Sequence, residues 1–222
     1  MIYVTSDIHG QYNMFLKLLS MIEFSDSDTL YILGDVVDRG SEPIRILQYI
    51  SKRSNIKLLR GNHEEFMLDY FEQDCYDNGW FSNGGGTTYE QLLSLGEDEM
   101  QKILLYVRRT KYVYEIEVNE INYKLCHAGL QYDQNGILYK PFNKDFILWA
   151  RDEFIRDTFV KDDVVIFGHT PTKYIHGKYD IWYGTNKIGI DCGATFGHKL
   201  ACLRLDDMEE FYIEWNCNFM WD

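Results

Sequence analysis

Proline is scarce in this chain, with 3 residues among 222. No Pro-rich linker, internal repeat or low-complexity tract divides it, so the expectation is one domain over residues 1–222. CxxC pairs are missing. The five cysteines (Cys75, Cys126, Cys192, Cys202 and Cys217) are odd in number and scattered, which argues against a disulfide framework and reads as buried, reduced thiols. No apolar run approaches the ~18 residues of a membrane span, and the opening MIYVTSD has neither a charged nor an apolar leader segment. A cytoplasmic protein without a membrane partner is expected. Positive charge is also short: 22 Lys and Arg stand against 35 Asp and Glu, a formal net charge of −13. Nucleic acid needs a basic footprint, and no Lys/Arg cluster supplies one, so it is excluded as the main partner. A phosphate can still bind locally where metal ions or a few arginines reverse the field.

What the chain does have is core: 45% hydrophobic residues and 16% aromatic, 17 of them tyrosine. Its first seventy residues alternate strand and helix. Strand-like runs at 1–5, 29–33 and 56–59 are separated by helical spacing at 13–22 and 42–53, and a further helical run reaches Phe71. This is the pattern of an α/β sheet with helices packed on it. Beyond a glycine-rich break at 83–86, residues 87–109 read as helix in two pieces split near Gly96. Residues 112–118 and 121–126 alternate in period 2 around Asn119-Glu120, a hairpin signature. Residues 144–158 suit a helix, and 164–167, 181–190, 199–205 and 210–216 suit strands.

Polar residues collect where strands end. The first strand runs into Asp7 and His9, the second into Asp35, Asp38 and Arg39, the third into Asn62 and His63. The strand YKLC runs into His127, and VVIF into Gly168-His169-Thr170. In a parallel-rich α/β sheet, ligand-binding groups gather outside the carboxyl ends of the strands. Asp7, His9, Asp35, Asn62, His127 and His169 offer carboxylate, imidazole and amide donors but no thiolate, a set suited to Mn, Fe or Zn. Six donors exceed one tetrahedral zinc and suffice for two ions if a carboxylate bridges them. Asp35, the first carboxylate after its strand, is the candidate bridge. Asp38 can turn away to hold something else, and the Arg39 fork suits phosphate oxygens.

In this order and spacing, "DIHG", "GDVVDRG", "GNHE", "CHAG" and "FGHTP" resemble the calcineurin-like metallophosphoesterases. The chain is most similar to their phosphoprotein phosphatase branch, in particular small bacterial and phage serine/threonine phosphatases such as that of phage λ. "NGGG" at 83–86, "LWARDE" at 148–153 and "IDCGATFG" at 190–197 extend the likeness to about residue 205. The resemblance implies an α/β sandwich of two mixed sheets with helices outside and a dinuclear site at one edge. It implies Asp7, His9 and Asp35 on one ion, and Asp35, Asn62, His127 and His169 on the other. It further implies His63 as general acid, Asp38 as its carboxylate partner, and Arg39 and Arg151, with Asn62, on the substrate phosphate. The implied reaction is in-line attack of a metal-bridging hydroxide on a phosphomonoester. Two divalent ions are expected, Mn²⁺ preferred, with Fe/Zn or nickel as alternatives.

The substrate is expected to be a phosphoprotein or small phosphoester, the serine/threonine phosphatase reading leading. Its rivals are a symmetrical dinucleoside polyphosphate hydrolase, such as one for diadenosine tetraphosphate, and a non-catalytic metal-binding scaffold. Specificity is expected in loops within 72–110 and 128–145. The glycines at 84–86 lack the P-loop Lys-Ser/Thr and read as a hinge or close-packing turn. Glu64 is expected to cap or pair locally, and His176 and His198 to be surface or core residues. The net charge favours a basic or neutral phosphopeptide over an acidic one.

Overall fold

In the computed structural model, residues 1–72 and 79–216 are described. Cys75, Cys217 and a few residues of the expected specificity segment 72–110 lie outside them. The expected early strands β1 (Ile2–Thr5), β2 (Thr29–Ile32) and β3 (Ile56–Leu58) lie side by side and parallel. The hairpin follows as β4 (Val113–Val118) and β5 (Ile121–Cys126), with Asn119 and Glu120 both at positive φ, as its two-residue turn requires. After it come β6 (Val164–Phe167), β7 (Trp182–Gly184), β8 (Lys187–Gly189), β9 (Lys199–Arg204) and β10 (Glu209–Glu214). One five-stranded sheet has the order β10-β9-β1-β2-β3, the other β4-β5-β6-β8-β7. Both are mixed: in the first, parallel β1, β2 and β3 fill one side out to the edge at β3 and antiparallel β9 and β10 the other; in the second, parallel β5, β6 and β8 are flanked by antiparallel β4 and β7.

Period-2 alternation sorts side chains between layers. In β1 Val4 faces the other sheet while Tyr3 faces helices; in β6 Ile166 faces inward while Val165 and Phe167 face out. Val4, Leu33, Leu59, Leu125, Ile166, Ile188 and Leu203 make the core between the sheets. Helices α1 (Tyr12–Met21), α2 (Pro43–Ile50), α3 (Asn62–Glu72), α4 (Gly86–Ser94) and α5 (Glu97–Arg108) cover the outer face of the first sheet. Short helices α6 (Lys144–Trp149), α7 (Asp152–Ile155) and α8 (Lys173–His176) flank the second. Each fully buried Leu, Ile or Phe in these layers contributes about 1.5–3 kcal/mol relative to exposure.

Two expectations need correction. The helix over 144–158 breaks at Ala150, where ψ is 140°. The Ile147 carbonyl, which a continuing helix would offer to the Arg151 amide, accepts from Ala128 N at 2.8 Å. The strand over 181–190 is a hairpin, β7 and β8, turning through Asn186 at φ 57°. Its side-chain amide donates to the Val160 and Lys161 carbonyls, which holds the turn.

Cys126, Cys192 and Cys202 are buried and free, their thiols pushed up by burial, as inert core residues are. His198 stacks on Tyr179 at 3.5 Å, and His176 meets the Asp180 carbonyl.

Candidate metal centre

The loops that leave the strands run alongside one another. Asp7 N, His9 N and Gly10 N donate to the carbonyls of Gly34, Asp35 and Val36, and Gly168 N donates to that of His127. Six residues of these loops, Asp7, His9, Asp35, Asp38, Arg39 and His169, hold positive φ without being glycine. Such a conformation costs about 1–3 kcal/mol per residue and persists only where the surroundings over-determine it. Glycines make room: a Cβ on Gly61 would lie 2.2 Å from Asp35 Oδ1, and one on Gly168 2.0 Å from Ser6 Oγ and 2.2 Å from Asp7 Oδ2. In the NGGG run, Gly84 (φ 99°) presents its carbonyl to Arg39 N, and Gly85 abuts the Trp80 indole, so the run is a close-packing turn.

Asp35 is the hub. Its Oδ2 lies 3.5 Å from His9 Nε2, 3.5 Å from His127 Nε2 and 3.9 Å from His63 Nε2. His9 Nδ1 donates to the Val37 carbonyl and His127 Nδ1 to that of Leu33, both at 2.8 Å, so each ring turns the lone pair of Nε2 into the site. Around His127 Nε2 stand Asn62 Oδ1 at 2.8 Å and His169 Nδ1 at 3.2 Å. His169 Nε2 is buried without a partner. Burial first, then neighbouring imidazoles and arginines, holds His9 and His169 well below the ordinary histidine range, which keeps them neutral. Burial pushes Asp35 up, with Asp7 and Glu64 adding to it and His63 opposing. Neutral imidazole nitrogens and acceptor oxygens converging around Asp35 fit divalent cations.

Among the described residues, two groups each bring their ligand atoms within 4.8 Å of one another: Asp35 with His127 and His169, and Asp35 with His9 and His63. The second contains His63 where Asp7 was expected. Asp7 Oδ2 accepts instead from the Ser6 hydroxyl and from His169 N at 3.0 Å.

Asp38 turns away from Asp35 as expected and is buried among donors. His63 Nδ1 lies 2.6 Å from its Oδ2, Trp80 Nε1 donates to the same oxygen at 2.8 Å, and the Thr88 hydroxyl donates to Oδ1 at 2.6 Å. The His63 pKa is raised: burial lowers it, but Asp35 and Asp38 outweigh burial. Arg39 donates to His9 Nε2 and His63 Nε2, each at 2.8 Å. Arg151, at the break between α6 and α7, reaches Thr170 Oγ1 at 3.3 Å and helps line a pocket of about 160 Å³ with Asp35, Arg39 and His169.

Sequence reasoning missed three contributors. Glu64 does more than cap locally: it is fully buried and its carboxylate takes backbone N–H groups from Asp35, Val36 and Gly61. Asp191 faces the pocket, pushed up by burial and by Asp7. It follows β8 as Asp35 follows β2, a signal the sequence carried. Trp149, Tyr174 and Phe196 add an aromatic rim.

A two-sheet sandwich with this loop-borne Asp/His/Asn centre is the architecture of metal-dependent phosphoesterases. The calcineurin-like phosphoesterase family model matches residues 1–202, and the chain belongs to that family. It is a metal-dependent phosphatase, from a family that works through a dinuclear metal site. Among relatives, serine/threonine-protein phosphatase 2 of Salmonella typhimurium is 33% identical, covering 92% of each chain. An asymmetrical bis(5'-nucleosyl)-tetraphosphatase of Bacillus mycoides is 26% identical, covering 93% of this chain and 91% of its own. A crystal structure provisionally described as a diadenosine tetraphosphatase superposes with a TM-score of 0.73 at 17% identity, covering 97% of this chain and 94% of that one.

Proposed function

We propose that this chain is a serine/threonine protein phosphatase that uses two divalent cations, Mn²⁺ preferred. The observation that carries the reading is the likeness to a bacterial serine/threonine phosphatase over 92% of each chain, together with the acid and both arginines around one pocket and the acid's carboxylate partner behind it. Asp7, His9 and Asp35 would hold one ion, and Asp35, Asn62, His127 and His169 the other. When bound, the ions supply Lewis acidity toward a phosphoryl group and acidify water.

The chain's own residues do the rest. Arg39 and Arg151, with the Asn62 amide, bind the phosphate oxygens and stabilise charge that grows on them. Asp38 holds the Nδ1 proton of His63; with Arg39 drawn from Nε2 to the phosphate, the imidazolium Nε2–H is the position that delivers a proton to the departing alkoxide. The protein is taken to act as one cytoplasmic domain; no helix among the described residues is long and apolar enough to cross a membrane.

A second reading, dinucleoside polyphosphate hydrolysis, is favoured by the full-length asymmetrical relative. A symmetrical bis(5'-nucleosyl)-tetraphosphatase of Salmonella paratyphi B matches over 71 residues, 31% of this chain. A substrate panel with Mn²⁺ separates the two: p-nitrophenyl phosphate, peptides carrying phosphoserine, phosphothreonine or phosphotyrosine, and diadenosine tetraphosphate. The expected preference is for phosphoserine and phosphothreonine peptides. A kcat/KM for diadenosine tetraphosphate above every phosphopeptide would reverse the assignment.

A further inference from the structure

The net charge of −13 conceals a basic groove. At one open edge of the sandwich, Ile56 and Leu58 of β3, Tyr106 of α5 and Tyr114 of β4 line a channel of about 500 Å³. It is several times the size of the metal pocket. Lys52 and Arg53 after α2, Lys57 on β3, and Lys102 and Arg109 at α5 also line it, and none of its described lining residues is acidic. The sequence hides this cluster because its members come from segments some fifty residues apart.

These cations are largely free. Lys102 pairs with Glu99, but both are well exposed, a pair of little weight. Arg53 lies 3.5 Å over the Tyr49 ring and donates to the Tyr49 carbonyl. Among the described residues Lys57 and Arg109 have no ion-pair partner. A chain with surplus acid that gathers uncompensated cations in one concavity has a local field opposite to its global one.

We propose that this groove docks an acidic, extended segment of a phosphoprotein substrate, a reading that rests on the protein phosphatase assignment. Three features select an extended peptide. β3 is an edge strand, paired only with β2 over Ile56–Leu58 until Leu59 bridges to Lys111; Ile56 N is taken by the Arg53 carbonyl, and Leu58 presents its main chain outward for pairing. The floor is apolar and aromatic, which suits alternate side chains of a strand, while the rim suits Asp and Glu. Along the chain, three residues separate Leu58 in the groove from Asn62 in the centre, at most about 15 Å.

The test uses the whole protein and a fluorescein-labelled dodecapeptide of alternating Glu and Val, read by anisotropy, with the Gln-Val peptide as control. Two charge-reversed variants, Lys57→Glu/Arg109→Glu and Lys52→Glu/Lys102→Glu, sample different parts of the rim. The wild type binds the Glu peptide, more weakly as salt rises, and not the Gln peptide; each variant loses about tenfold or more in affinity. Turnover of p-nitrophenyl phosphate is unchanged in both, while KM rises for a phosphoserine peptide with an acidic extension. Equal binding by wild type and variants overturns the proposal. So does tighter binding of a dodecathymidylate than of the Glu peptide. Phosphopeptide turnover without Glu-peptide binding removes the groove and leaves the phosphatase. Binding without turnover keeps the groove as an acidic-peptide site and removes the phosphoprotein reading.

Discussion

Glu64 grips the backbone of Asp35. Its Oε2 accepts the Asp35 N–H at 2.8 Å and the Gly61 N–H at 2.9 Å, while Oε1 accepts from Val36 at 2.8 Å. One buried carboxylate therefore ties the loop after β2 to the loop after β3, and does so at the residue both ligand groups share.

Replacing Glu64 with Gln leaves one acceptor oxygen and turns an NH₂ toward backbone donors. With at least one buried N–H left unsatisfied and the charge removed, the loss of stability is about 3 kcal/mol. Thermal melts and calorimetric Mn²⁺ titration should show both a lower Tm and weaker metal binding. A variant that melts and binds like the wild type would mean the clamp carries no weight.

The Asp38–His63 contact predicts a pH effect. His63 has a raised pKa because Asp35 and Asp38 outweigh burial. Asp38→Asn removes one of those charges, so the folded-state pKa falls and the protonated form is lost at lower pH. The alkaline limb of the kcat profile on a phosphoserine peptide moves toward acid. His63→Asn lowers kcat on that peptide by about 10²–10⁴ while metal stays bound, and by less on p-nitrophenyl phosphate, whose leaving group needs less help. An unshifted limb in the Asp38 variant would remove Asp38 from that role.

Gly168→Ala tests the close approach of the two sheets' loops. Its Cβ would fall 2.0 Å from Ser6 Oγ and 2.2 Å from Asp7 Oδ2, so the loop bearing His169 must shift. The expected outcome is metal affinity reduced by about tenfold or more, with a smaller effect on secondary structure. Circular dichroism alongside metal titration separates the two.

Away from the centre, Glu65 accepts from Tyr112 Oη at 2.9 Å and Arg60 Nη1 at 3.3 Å, and pairs with Lys144. Burial raises its pKa, but Lys144, Tyr112 and Arg60 together pull it below the ordinary value. A carboxyl depressed in the folded state contributes stability above its unfolded pKa of about 4.3 and loses it as pH falls through the folded value. Urea unfolding of Glu65→Gln should show its largest deficit at neutral pH and a vanishing one in acid. A deficit independent of pH would point to packing alone.

Most strands and helices were readable because strand period, helical spacing and turn residues agreed over most of the chain, while their arrangement as two facing sheets followed from the family resemblance. The candidate donors were readable because each followed an apolar run directly. Other features depended on contacts distant in sequence. The break at Ala150 comes from Ala128 taking the Ile147 carbonyl, and no local signal in 144–158 announces it. Trp80 and Thr88 reach Asp38 across forty residues or more. The basic groove forms only when β3 and α5 meet, so linear charge patterning could not show it.

Asp7, His9, Asp35 and Asn62 hang from one sheet, and His127 and His169 from the other. Ions held by this set would rivet the two halves of the sandwich, so prising them apart would first require cation release. Free metal at about a hundred times its dissociation constant then adds about 2.7 kcal/mol to the resistance of the whole fold. Starvation for metal would weaken the protein as well as silence it, and chelator-treated enzyme should be the easier prey for proteases.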